Sequence, residues 1–146
     1  MAKISKEEEE LRKLSVEMRF LEQTAETLQQ RISMINAAIT DLTYANMALD
    51  GIEKEKENAE LLVPLGGSSH IKVKLANTDT VVVGMGTGVS VEKTLPEAKA
   101  IVKERLEELK KTMTSAQQQF AQVAQRINSG RNQLQNLLTR VRQGKA

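Results

Sequence analysis

An α+β fold, a long antiparallel two-helix coiled coil whose helices are joined by two β-hairpins, is predicted by three features of this 146-residue chain. Apolar residues recur at intervals of three and four from Leu11 to Leu49, and again from Val102 to Val141. Between these stretches the period shortens to two. Breaks rich in Gly, Ser, Asn and Asp then divide the middle of the chain into four short extended runs.

The first periodic stretch reads Leu11, Leu14, Met18, Leu21, Ala25, Leu28, Ile32, Ile35, Ile39, Leu42, Asn46 and Leu49. Leu11, Met18, Ala25, Ile32, Ile39 and Asn46 take position a of a heptad, and the others take d. No proline or glycine interrupts before Gly51, and the charged run Glu53 to Glu60 closes the segment, so a helix is expected over 6–58. The second stretch reads Val102, Leu106, Leu109, Met113, Ala116, Phe120, Val123, Ile127, Gly130, Leu134, Leu137 and Val141. It belongs to a helix over 95–142, which opens on Thr94 and Glu97 as the two ends of a capping box, with Pro96 tolerated in the first turn. Each helix carries a stripe only two-sevenths wide, which suits a paired coil rather than a thick bundle.

The middle, over 61–92, reads as strands Leu61–Leu65, His70–Leu75, Thr80–Val83 and Val89–Val91. Alternation places Ile71, Val73 and Leu75 on one face and Lys72 and Lys74 on the other. The three parts form a single unit over 1–146.

Pairing the helices within the chain closes a loop of only about three dozen residues, a modest entropic cost. Charge agrees, because folding back brings Glu7, Glu8, Glu9 and Glu10 toward Arg140, Arg142 and Lys145, and each set also suits its own helix dipole. A register in which facing residue numbers sum to 148 sets Met18 over Gly130, Leu28 over Phe120, Ile32 over Ala116 and Asn46 beside Val102, so that large meets small. The neighbouring register, summing to 155, sets Met18 over Leu137. With ~1.5 Å of rise per residue, about 44 helical residues make an arm on the order of 65 Å long, a shape suited to spacing or grasping rather than to a catalytic pocket.

Composition narrows the function. There is no Trp, one Tyr and two Phe, so the core is aliphatic and thin. Absence of Cys removes disulfides, thiolate catalysis and Cys-ligated metals, and one histidine, His70, does not build a metal site. The net charge of +2 is spread along the chain, which speaks against nucleic acid and anionic membrane as partners. With no spanning or signal-type apolar run, the chain is expected to be soluble and cytoplasmic. No catalytic constellation is evident, no cofactor is expected, and the chain does not read as an enzyme.

The segment VVVGMGTGVSVEK, Val81 to Lys93, raises the question of a phosphate cradle. Such a loop needs a helix after its glycines. Here Val89, Ser90, Val91 and Glu92 alternate like a strand, and neither G-x-G-x-x-G nor Gly-Lys-Ser/Thr is completed, so the glycines are expected to form a hairpin turn.

Heptad helix, LLVPLGGSSHIKVKL, TVVVGMGTGVSVEK and a second helix opening LPEAKAIV together resemble the α class of prefoldin, over nearly the whole chain. The two hairpin segments are the most specific part of the likeness, since the β class has a single hairpin. The resemblance implies a hetero-hexamer of two α-type and four β-type subunits, with hairpins assembled into a β-barrel platform and coiled coils projecting from it. It also implies an ATP-independent holdase that binds non-native client proteins at the coiled-coil tips and passes them to a group II chaperonin. Two isolated hairpins with free edges need partner strands in any case. Leu61, Val63, Ile71, Val73, Leu75, Val81, Val83, Val89 and Val91 are the candidate oligomer contacts, some of which would instead pack on the helix bases of the same chain.

Client binding needs apolar surface that the seam does not consume. Near the free ends Val16 at f, Phe20 at c and Leu138 at e lie off the seam, either as client contacts or as surface residues that shield a neighbouring helix. Leu11, Leu14, Met18, Leu134, Leu137 and Val141 are seam residues by default, and fraying of the last turns gives them a second role as client contacts. Met1 and Met18 would add adaptable contact. Asn46 is read as a register pin, Met34, Tyr44 and Met47 as exposed or subunit-contacting residues, and the glutamate run as a solvated helix start. The rival readings are a prefoldin-like scaffold or filament former, and an enzyme accessory or nucleic-acid clamp that uses its coiled coil as an arm, which the evenly mixed charge disfavours.

Overall fold

The computed structural model describes residues 5–144, so Met1 and Lys145 lie outside the described residues. Chain order is α1 (Lys6–Lys54), β1 (Glu60–Gly66), β2 (Ser69–Lys74), β3 (Thr80–Gly84), β4 (Ser90–Thr94) and α2 (Leu95–Gly144). By contacts the chain divides into two units, one formed by the helical residues up to Ala37 and from Lys111, the other by Ala38–Lys110.

Both helices begin where side-chain oxygens take up backbone donors left over in the first turn. The Glu8 amide donates to Ser5 Oγ at 3.2 Å, and Glu7, Glu8 and Glu9 supply negative charge to that turn. At α2 the capping box is reciprocal: the Glu97 amide donates to Thr94 Oγ1 at 3.3 Å and the Thr94 amide donates to Glu97 Oε2 at 3.2 Å. The first helix, expected over 6–58, ends at Lys54. Its last turn tightens, with the Glu55 amide donating to the Ile52 carbonyl, and Asn58 then takes φ 66°, a left-handed value that no helix accommodates. Asn58 is instead tied to the first hairpin by its amide, which donates to the Leu75 carbonyl at 2.8 Å. The second helix runs to Gly144, two residues past the expected end.

In the unit that holds the outer helical segments, Met18, Leu21, Leu28, Ile35, Ala116, Gly130 and Leu137 are buried. Leu11, Leu14, Ala25, Ile32, Met113, Phe120, Val123, Ile127, Leu134 and Val141 are half-buried. Every a and d position is therefore withdrawn from water, as a two-stranded seam requires. The Met18 side chain occupies the space in which a Cβ on residue 130 would sit. Met18 thus faces Gly130, the pairing of the register that sums to 148. Glu10 and Arg140 line one crevice with Gln133, Asn136 and Leu137, which puts the acidic start of α1 beside the basic end of α2.

The second unit contains both hairpins and the helical residues next to them. Its core is Leu49, Leu95, Ala98 and Val102, with Leu42, Ala45, Ile52, Val81, Val83 and Leu106 packed around it. Lys99 bridges Asp50 at 2.9 Å and also pairs with Glu53. Each hairpin is its own two-stranded antiparallel sheet, β1 with β2 and β3 with β4.

Candidate functional site

Two surfaces stand out once the seam has taken its residues. On the outer helical segments, Val16 is 62% exposed, Phe20 68%, Met34 73% and Leu138 41%. Heptad geometry explains this: c and f side chains point away from the partner helix, and Leu138 at e, the least exposed of the four, flanks the seam. Phe20 is one of two phenylalanines in the chain, and the other, Phe120, is half-buried in the seam. The seam residues singled out as second-role contacts are less available: Met18 and Leu137 are buried, while Leu11, Leu14, Leu134 and Val141 are half-buried. Met34 lies on the same c row as Phe20, two heptads along, and it extends the off-seam apolar surface beyond the residues near the helix ends. Periodicity places it off the seam, where the expectation is exposure or contact with an adjacent subunit.

Within the other unit, the cross-strand pairs of the first hairpin are Glu60 with Lys74, Leu61 with Val73, Leu62 with Lys72, Val63 with Ile71 and Pro64 with His70. Leu61, Val63, Ile71 and Val73 share one face; Leu62, Lys72 and Lys74 share the other. Val63 and Ile71 are exposed on the first face, and Leu62 and Leu65 are also exposed. Leu61, Val73 and Leu75, nearest the helices, are half-buried.

The second hairpin is held differently. Val81 and Val83 pack against the helix-base core, so these two of the nine candidate interface residues are engaged within their own chain. The Leu95 amide donates to the Asp79 carbonyl at 2.9 Å, and Arg105 Nη2 donates to the Gly84 carbonyl at 2.9 Å. Val82, Val89 and Val91 remain exposed. The glycine run joins β3 to β4, with Gly86 at φ 83° and Gly88 at φ 82°, values open to glycine at little cost. Strand β4, not a helix N-terminus, follows it, and the geometry of a phosphate cradle is absent.

Among the described residues no group of acidic and histidine side chains is placed to hold a metal ion. No helix among them is long and apolar enough to cross a membrane. Two long helices bracketing two small antiparallel hairpins is an order of elements that solved proteins share. The chain aligns with filamentous PFD from Methanocaldococcus jannaschii at a TM-score of 0.66, with 24% identity over 77% of this chain and 93% of that one. It aligns with the prefoldin β subunit from Thermococcus strain KS-1 at a TM-score of 0.59, with 17% identity over 93% and 96% of the two chains. The family model for "Prefoldin subunit" matches residues 21–140.

The chain belongs to the prefoldin family. Its relatives include the prefoldin α subunit of Methanococcoides burtonii, 34% identical over 84% of this chain and 88% of that protein. The α subunit of Pyrococcus horikoshii is 30% identical over 81% and 80% of the two chains. Prefoldin is a chaperone family rather than an enzyme family, and this chain is a prefoldin-type chaperone subunit with the two hairpins expected of the α class.

Proposed function

We propose that this chain is the α-type component of a mixed prefoldin complex, two α with four β subunits, that holds non-native proteins without ATP and delivers them to a group II chaperonin. The hairpins supply the assembly surface, and the outer helical segments supply the client surface. The observation that carries the client reading is the exposure of Val16, Phe20 and Leu138 beside a seam whose own apolar residues are already withdrawn from water. An unfolded chain offers scattered apolar side chains in no fixed order, and small exposed apolar contacts on several arms bind it through multivalency rather than through one tight pocket.

Replacing Val16, Phe20 and Leu138 together by Ser tests this. None of the three lies in the seam, so assembly with a β-class chain is expected to persist, judged by native mass. Suppression of aggregation of a chemically denatured protein, measured without nucleotide, is expected to fall severalfold. An assembled triple variant that protects as well as the unsubstituted complex would rule out the off-seam client surface. An open ladder of identical chains, in place of a closed mixed complex, would rule out the assembly half of the proposal.

A further inference from the structure

The outer faces of the two helices differ, and the difference points to what the first one meets. On α1 the residues opposite the seam, at positions c and f, form a second row spaced by three and four: Val16, Phe20, Gln23, Thr27, Gln30, Met34 and Ala37. All of them are exposed and none is charged. The matching row of α2, from Ser115 to Thr139, holds only Ser, Gln, Asn and Thr. Of the two helices, α1 therefore carries coiled-coil stripes on opposite faces, one closed by α2 and one open. Lys13 and Asp41 take the next positions of the row at either end, which limits the open stripe to about three heptads, on the order of 33 Å.

The flanks of this stripe favour one occupant. Arg12, Arg19 and Glu26 run along one flank at b, and Glu17, Thr24 and Arg31 along the other at g. When two such stripes pair parallel and in register, each residue of the first flank meets the one five places further on in the other helix. Arg12 then meets Glu17, Arg19 meets Thr24 and Glu26 meets Arg31, each twice by symmetry. Within the stripe Phe20 meets Phe20 and Met34 meets Met34, while Gln23 and Gln30 meet their own copies, whose amides both donate and accept. Laid antiparallel with Val16 against Met34, the same stripe sets Phe20 against Gln30 and Glu26 against Glu26. Among the described residues, none of Arg12, Glu17, Glu26 and Arg31 has an ion-pair partner in its own chain. Arg31 instead lines a crevice with Lys111, a like charge. Glu17 shares a crevice with Arg126, so Glu26 and Arg31 make the cleaner test.

We infer that the outer face of α1, residues 16–37, pairs parallel and in register with the same face of a second copy of this chain, and that the pairing covers Val16 and Phe20 until a client displaces it. The pairing rests on the reading above, in which two copies share one complex and offer these side chains to clients. Its three polar layers make the stripe weak in dilute solution, and a shared complex supplies the local concentration that closes it.

The chain has no Cys, so single thiols report the pairing. In the complex of the full chain with a purified β-class prefoldin chain, Thr27→Cys is expected to form a disulfide between copies about tenfold faster under mild oxidation than Gln125→Cys on the outer face of α2. Adding Glu26→Arg should slow the linkage through Thr27→Cys severalfold at low salt, and a further Arg31→Glu should restore it. Once linked, the complex is expected to lose suppression of aggregation severalfold and to regain it on reduction. With native mass showing two copies in the complex, equal rates at 27 and 125 overturn the pairing, as does a failure of Arg31→Glu to restore linkage. Full protection by the linked complex overturns the masking, and the Ser triple variant then decides the client surface. Loss of protection by that variant leaves the client surface standing, whereas unchanged protection removes both. A complex that holds one copy overturns the mixed-complex reading, and this pairing with it.

Discussion

Gly130 is a glycine in mid-helix, where it costs up to about 1 kcal/mol relative to alanine. Its presence is explained by what faces it: a Cβ at this position would overlap the Met18 side chain, which is itself buried. Helix propensity and packing therefore pull in opposite directions at one site. In a Met18→Ala background, Gly130→Ala is expected to stabilise the chain by up to about 1 kcal/mol, because only the propensity gain remains. With Met18 present, the same substitution displaces a buried thioether, and overpacking of about 1–3 kcal/mol offsets or exceeds that gain. Urea denaturation of the four variants measures the coupling, expected to be about 1 kcal/mol or more. The register summing to 155 would place Gly130 over Ala25 and give no coupling with Met18. Asn46 sits half-buried at its a position and lines a crevice with Asp50, Lys99, Lys103 and Leu106.

At the scale of elements, α2 starts without a connecting loop, directly on the last residue of β4. Thr94 ends one element and caps the next, so the reciprocal bonds with Glu97 settle where the sheet stops and the helix begins. Thr94→Ala is expected to cost about 1 kcal/mol of thermal or urea stability. Adding Glu97→Ala should cost little more than either single change, since the two bonds act as one unit. Fully additive losses would separate them. The Lys99 pairs with Asp50 and Glu53 join the same helix bases, but all three side chains keep part of their surface in water, which limits their worth to about 1 kcal/mol or less.

For the whole molecule, the informative fact is how little of the hairpin surface the chain covers by itself. Val63 and Ile71 are exposed, and Val73, paired with Leu61, is only half-buried. If this face is completed by other subunits, Val73→Asp places a carboxylate where apolar surface is to be buried, at about 1–3 kcal/mol. Native mass should then show loss of the mixed complex, while circular dichroism shows the helices intact. Retention of the complex by Val73→Asp would move the assembly face elsewhere. Together with the Ser triple variant, this would divide the molecule by function: one set of changes is expected to remove client protection without disassembly, and the other to disassemble the complex.

Helix pairing was legible in the sequence because a coiled-coil seam repeats: all twelve a and d positions from Leu11 to Leu49, Asn46 included, are buried or half-buried. The capping box at Thr94 and Glu97 was legible for a similar reason, since its partners lie three residues apart. So was the strand that follows the glycines, and with it the hairpin turn in place of a phosphate cradle. The early end of α1 was not, because Asn58 turns left-handed where its amide meets the Leu75 carbonyl, a contact between distant parts of the chain. Nor did alternation distinguish the two valine-rich hairpins, which have the same local pattern. Only tertiary packing decided that Val81 and Val83 sit on the helix bases while Val63 and Ile71 face water, because a period of two specifies which side chains share a face and says nothing of what that face will meet.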